Sequence, residues 1–566
     1  MDHVLLIWYA RRTRLSTYPD GNPMHKLLLL LFGLPALLTL CDDAAGEPLR
    51  SAIDAHIQTA WLANKITPAE PASDAEFLRR IHLDLHGVIP TYDQAIEFLA
   101  DASPDKREKL IDRLLDDPRY AVHSSDIWDM VLFGRNPPGF YARVRPDFKR
   151  WVREQFEQNV AYDKFVEAML KAEGNTIDDG APTFLIQYDR KPEDAAVAVT
   201  KNFLGVQLEC ARCHDHPFED YTQVDFYGMA AFYARLEWVE VGKKGKDKKM
   251  AAGEKNLGDV LFTGPAIDQK PGQKGEPVPA KFMKGDAVVE PELPEGFEEP
   301  RRFPSGKAPP KPKFSRKDTL AAWIATADNP FFAHAAANRI WGQFMGKGIV
   351  HPVDDMRPSN PPSHPELLDA LTKYLVDNQF DLKSLICEIV NSKTYQLSSG
   401  GAVEIEMPLR YERARYRPLS AEELYESWQE VGGINASLAA AGQKPDEKRF
   451  AIKGMTWDYF RRYFGYPTDG AGNFQGGISE HLFLNNGQVH QMITKQKGGL
   501  HETMSKSEDP WDERVERMFV QVLSRRPTME EVEEFVAHLS APDDASNRLH
   551  EAIWTLMTCS EFRFNH

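Results

Sequence analysis

Through most of the chain, apolar residues return every three or four positions, the spacing that stacks side chains on one face of an α-helix. In "FLRRIHLDL" it puts Phe77, Leu78, Ile81 and Leu85 on one face. The same rhythm in "REKLIDRLLDD", "PDFKRWVREQFEQNV", "PELLDALTKYLVDN", "LKSLICEIVNSKTY" and "WDERVERMFVQVLS" predicts a helix for each. Thr91 with Gln94, Ser363 with Glu366, Ser420 with Glu423 and Thr528 with Glu531 spell capping boxes. In such a box the hydroxyl accepts from the third backbone N–H while the acid or amide reaches back. Ser103-Pro104 predicts another helix start, with proline at the first helical position.

The rhythm stops between about 241 and 317. This stretch is rich in Lys, Gly, Pro and Glu, opening with "GKKGKDKK" and closing with "SGKAPPKPKFSRK". Short apolar runs, "DVLFTG" and "AVVEPEL", predict a few strands within it. The expected architecture is mainly α: two helical domains, 47–240 and 318–566, with an irregular, partly β insert at 241–317 between them. The lysine run reads as a solvated loop rather than a binding patch.

At 566 residues the chain exceeds what one hydrophobic core organises. A formal net charge of −16 argues against nucleic acid, and against an anionic membrane surface, as partner. Met24-His25-Lys26, the apolar run Leu27 to Leu40 and then "CDDAAGEP" follow the order of a secretory signal. Residues 1–46 are therefore expected to be leader and signal peptide, starting at Met24, with cleavage after Gly46. The apolar run is shorter than the ~20 residues of a membrane span. The mature chain is expected in the periplasm or outside the cell, with no integral span. Leu38-Thr39-Leu40-Cys41 offers lipoprotein anchoring through Cys41 as a minority alternative, disfavoured by the bulk of Leu40.

Five cysteines are too few for a disulfide scaffold. Cys387 in "LICEIV" and Cys559 in "WTLMTCSEF" read as ordinary buried thiols. Cys210 and Cys213 form the one closely spaced pair, inside "ECARCHDHPFED". With His214 they make C-x-x-C-H, the attachment pattern of one covalent c-type haem. Two thiols so spaced can form thioethers to the two vinyl groups, and the adjacent histidine becomes an axial ligand of the iron. Given five cysteines and 17 histidines, such a match arises by chance in about one chain in a thousand. The competing cofactor is zinc, held by Cys210, Cys213, His214 and His216, although no second pair completes the usual spacing. A thiol–disulfide redox pair and an inert disulfide are the remaining alternatives. His216 is too near His214 to reach the opposite haem face and is expected to support the proximal ligand. Met229, Met250, Met283, His82, His86 and His123 are the candidates for a sixth ligand.

Asn338-Arg339 and the group Asp354, Asp355 and Arg357 in "VDDMRPSNPPSHPE" are the densest polar features after the insert. The paired carboxylates suggest an acid/base or metal site, against the plainer reading of a loop in which Arg bridges elements. "GAGNFQGGISEH" lacks phosphate-loop spacing, and neither G-x-S-x-G nor H-E-x-x-H occurs.

Several long motifs carry a family resemblance. "FLRRIHLDLHGVIPT" and "NFLGVQLECARCHDHPFEDYTQVDFYGMAAFYARL" resemble the first of two paired domains of unknown function in planctomycete-type, cytochrome-c-associated secreted proteins. "DTLAAWIATADNPFFAHAAANRIWGQFMGKGIVHPVDDMRPSNPPSHPELLDAL" resembles the second, and "RYRPLSAEELYESW" and "LSRRPTMEEVEEF" agree with its tail. The resemblance implies export and a haem, and leaves the reaction open. The expected function is an exported c-type haem protein with a redox or electron-transfer role, tied by association to extracellular polysaccharide catabolism. The redox partner is unknown. A non-redox surface or glycan-associated protein with structural zinc or a disulfide is the first alternative, and a haem-dependent enzyme the second.

Overall fold

Helices supply nearly all of the core, in the order the apolar rhythm predicts. The structure is a computed structural model that describes residues 48–134, 141–262, 275–400, 410–434, 484, 498–542 and 544–566. The expected leader, Cys41 and the "GAGNFQGGISEH" stretch lie outside the described residues.

The first helical run comprises α1 (Leu49–Asn64), α2 (Asp74–His86), α3 (Tyr92–Ala100), α4 (Lys106–Asp116) and α5 (Pro118–Phe133). It continues with α6 (Tyr141–Glu157), α7 (Tyr162–Lys171), α8 (Thr183–Ile186), α9 (Pro192–Val199) and α10 (Gln223–Ala231). Next come β1 (Leu236–Lys244), which starts ahead of the expected insert, and within it β2 (Asp247–Glu254), β3 (Val260–Phe262) and β4 (Glu276–Val278). The second run holds α11 (Arg316–Ile324), α12 (Phe332–Met345), α13 (Pro365–Asp377), α14 (Leu382–Asn391) and α15 (Ala421–Val431). The chain closes with α16 (Leu500–Lys506), α17 (Trp511–Leu523), α18 (Met529–Leu539), α19 (Ala545–Thr558) and α20 (Ser560–Arg563). A final short pairing joins β5 (Arg417–Pro418) to β6 (Phe564–Asn565). The class is mainly α with small antiparallel sheets, as expected.

Capping boxes at Thr91, Ser420 and Thr528 form as predicted, and an unforeseen one, Thr222 with Asp225, starts α10. The predicted box at Ser363 does not form. Its hydroxyl donates instead to Ile349 O at 3.0 Å, and His364 becomes an N-cap whose side chain makes no capping bond. Likewise α4 begins at Lys106 behind Asp105, not at Ser103-Pro104.

In the insert, β1 and β2 pair antiparallel from Leu236↔Glu254 to Lys244↔Asp247, which puts the lysine run at a hairpin tip. "DVLFTG" supplies β3, whereas "AVVEPEL" gives only an isolated bridge at Ala287, since Pro291 and Pro294 remove ladder donors. Cys387 is buried, as expected.

The predicted apolar face of α2 is only part of its story, because every residue from Phe77 to His86 is buried. Arg79 donates to the carbonyls of Val522 and Phe562, and Arg80 to those of Tyr395, Leu397 and His566. Carbonyl partners offset the cost of burying these cations, although Arg79 Nε is left without one among the described residues, so two arginines on one helix tie α2 to segments far along the chain. Elsewhere α1 packs on α13 and α14, α4 on α14, and α3 on α17. The first and second helical runs thus share packing surfaces.

Candidate functional site

Helix α9 runs directly into a π-turn, Thr200–Leu204, which Gly205 ends in the left-handed region at φ 68°. A Cβ at Gly205 would lie 2.8 Å from Met356 Sδ, so this turn needs glycine for both backbone conformation and space. Next comes a 3₁₀ turn, Glu209–Arg212, whose Ala211 is buried while Cys210 and Cys213 are exposed. The turn is pinned from α10: Gln223 Nε2 and the Tyr227 hydroxyl both donate to Arg212 O, at 3.3 and 3.1 Å. Asp215 Oδ1 accepts from the Gln223 N–H at 2.8 Å, and Arg212 pairs with Asp194 on α9 at 3.0 Å.

The two histidines take opposite tautomers. His214 Nδ1 lies 2.7 Å from the Asp215 carbonyl. A carbonyl can only accept, so Nδ1 carries the proton and Nε2 keeps its lone pair. His216 Nδ1 instead accepts from the backbone N–H groups of Phe218 and Glu219, at 3.3 and 3.1 Å, which leaves the proton on Nε2. Burial holds the His216 pKa below its ordinary value; Glu219 and Asp355 oppose this, while Arg357 and His214 add to it. His214 is therefore prepared to ligate and His216 to donate. Two exposed, unbridged thiols beside an imidazole with a free Nε2 fit the donor set of a c-type haem. Among the described residues, no group of three or more His, Cys, Asp or Glu side chains is arranged to hold a metal ion.

Alongside the turn lies a cleft of about 340 Å³ with Val131, Leu132, Tyr188, Val197 and Ala198 in its lining. Asp194, Lys201, Asn202 and Glu209, the neighbour of Cys210, complete that lining. Phe218 is 74% exposed and Val224 47%, so apolar surface flanks the motif on its C-terminal side.

The structure brings Asp354, Asp355 and Arg357 to this same loop. Asp354 pairs with Lys201 at 3.1 Å and accepts from Gln207 Nε2 at 3.1 Å. Asp355 pairs with Arg357 at 3.0 Å, and both act on His216. The Met356 N–H donates to Gly205 O at 2.8 Å. Glu219 and Ser359, which no motif or spacing connects, share a bond of 2.6 Å. The nearby pair Asn338-Arg339 is structural: Asn338 exchanges bonds with Val350 and donates to Val353 O, and Arg339 donates to Lys201 O and Asn202 O.

Of the sixth-ligand candidates, His82 and His86 are buried with ring nitrogens on Leu78 O and Leu114 O, and His123 is buried near Glu423. Met229 and Met283 are core residues at 0% and 2% exposure, and Met250 lies in β2.

Helices carry a Cys/His turn in the first segment and a carboxylate-bearing loop from the second presses on it. Residues 52–237 match the family PSCyt2, described as a protein of unknown function (DUF1549), and residues 316–460 match PSD1, a protein of unknown function (DUF1553). The chain therefore carries two paired domains of unknown function, with the Cys/His turn in the first and Asp354 to Ser359 in the second. No curated protein and no solved structure matches it. Among the described residues, no helix is long and apolar enough to cross a membrane.

Proposed function

We propose that this protein carries one covalent c-type haem on Cys210 and Cys213, with His214 as axial ligand, and serves electron transfer after export. The observation that supports this best is the His214 tautomer: its Nδ1–H is committed to Asp215 O, and Nε2 is free beside two unbridged thiols. Such a haem supplies a one-electron couple whose potential follows its axial ligands, hydrogen bonds and exposure. The chain's own residues provide the rest. Asp215 orients His214, His216 presents an Nε2–H donor, and the cleft beside Glu209 offers a mixed lining of Val131, Leu132 and Val197 with Asp194 and Asn202. Extracellular polysaccharide catabolism is the setting in which we place the electron transfer.

The test is expression from Glu47 behind an export signal in a host able to mature c-type cytochromes. The expected result is one haem per chain that survives a denaturing gel and gives a c-type reduced pyridine spectrum. A folded, exported chain without haem overturns the proposal. Metal analysis then tests zinc on Cys210, Cys213, His214 and His216, and a metal-free chain points to the non-redox surface protein. If haem is present, binding of CO or cyanide at an open sixth position favours a haem-dependent enzyme over an electron carrier.

A further inference from the structure

We infer that Asp354 and Ser359 are positioning residues for the Cys/His turn, so the motif of the first family segment is held in place by the second. The inference does not depend on which group the motif takes.

Apart from Ala211, the turn buries little of itself; Cys210, Cys213, His214 and Asp215 are all exposed. A surface segment with so few apolar contacts opens at low free-energy cost unless polar bonds restrain it. Those bonds come from both sides. Before the motif, Asp354 takes Lys201 and Gln207, while the Met356 N–H takes Gly205 O. After it, the Ser359 hydroxyl takes Glu219 Oε1, and the backbone of Glu219 is in turn bound by His216 Nδ1. One short stretch, 354–359, thus brackets the cysteines and both histidines. Its contacts reach across more than a hundred residues of chain, and charged partners make two of them stronger than neutral bonds.

Hydrogen–deuterium exchange on the full chain, prepared without haem, tests the inference. In Asp354→Ala/Ser359→Ala, amides within 206–222 are expected to exchange about tenfold faster, while those of α12 and α13 keep their rates. Charge exchange, Lys201→Asp with Asp354→Lys, is expected to restore slow exchange before the motif, because Gln207 can offer its carbonyl to the new lysine. Ser359→Thr should preserve the bond to Glu219. Unchanged exchange in a folded double-alanine variant overturns the inference, as does failure of the charge exchange to restore it. If the double variant does not fold, Gln207→Ala and Ser359→Ala separately carry the same test. Haem content is measured apart from exchange, so a chain that never loads haem counts against the proposed function and leaves this inference standing.

Discussion

Arg417 Nη2 donates to Asp84 Oδ1 at 2.8 Å, across most of the sequence, and the same guanidinium takes both carboxylate oxygens of Glu423 at 2.8 Å. Asp84 is further bound by the Tyr395 hydroxyl at 2.8 Å and by Asn565 Nδ2 at 2.7 Å. This network ties α2, the turn after α14, α15 and the C-terminal strand together. Breaking a buried pair leaves a charge without its partner, which costs about 3–5 kcal/mol. Asp84→Ala is accordingly expected to be among the more damaging single changes, read as a lowered midpoint in urea unfolding. Asp84→Asn, which keeps shape and one acceptor, should lose less.

Acid should weaken the fold in two stages. Burial, with the neighbouring imidazole adding, holds His82 to about 3, and burial, with Arg119 adding, holds His86 to about 4. Both are neutral in the folded chain, so the unfolded state takes up protons first. Their stability contribution is complete above pH 6.5 and falls on acidification, by about 1.4 kcal/mol per pH unit for each group. Although burial pushes Glu423 up, Arg417 pulls it down to about 2, so its contribution is complete above pH 4.5 and is lost below that. Urea midpoints measured from pH 7 to pH 3 should decline below 6.5 and steepen below 4.5. His82→Leu should make the first stage shallower without abolishing it, because His86 still contributes.

Gly205 tests how closely the two family segments are fitted. Gly205→Ala forces a left-handed conformation on a residue with a Cβ and directs that atom at Met356 Sδ. A loss of about 1–2 kcal/mol is expected from the backbone alone. Gly205→Ala with Met356→Ala should recover part of the packing component and none of the backbone component, as a double-mutant cycle would show.

His214 and His216 should separate cleanly in the haem-loaded protein. His214→Ala removes the proposed axial ligand, and the expected result is an altered Soret spectrum with haem still linked to Cys210 and Cys213. His216→Ala removes only a donor and a turn, so the expected spectrum keeps its ligation pattern. Cys210→Ala/Cys213→Ala should leave no haem on a denaturing gel.

Thr222→Ala removes the hydroxyl that starts α10 beside the site, with an expected cost of about 1 kcal/mol. Thermal unfolding of the single variant reads this directly.

Much of this protein is determined locally and is legible in its sequence. Helical class, the β-containing insert, three of the four proposed capping boxes and the C-x-x-C-H spacing all rest on neighbours within a few residues. So does the His214 tautomer, because its bond reaches only Asp215. At two places where local signals failed, a distant partner had intervened. Ser363 spends its hydroxyl on Ile349 O, and α2 carries arginines inside the core because carbonyls from far along the chain accept from them. Nothing near Asp354 or Ser359 in sequence announces Lys201, Gln207 or Glu219. Only the tertiary structure decides that these residues meet at the Cys/His turn, because long-range hydrogen bonds depend on where whole helices pack and leave no periodic trace along the chain.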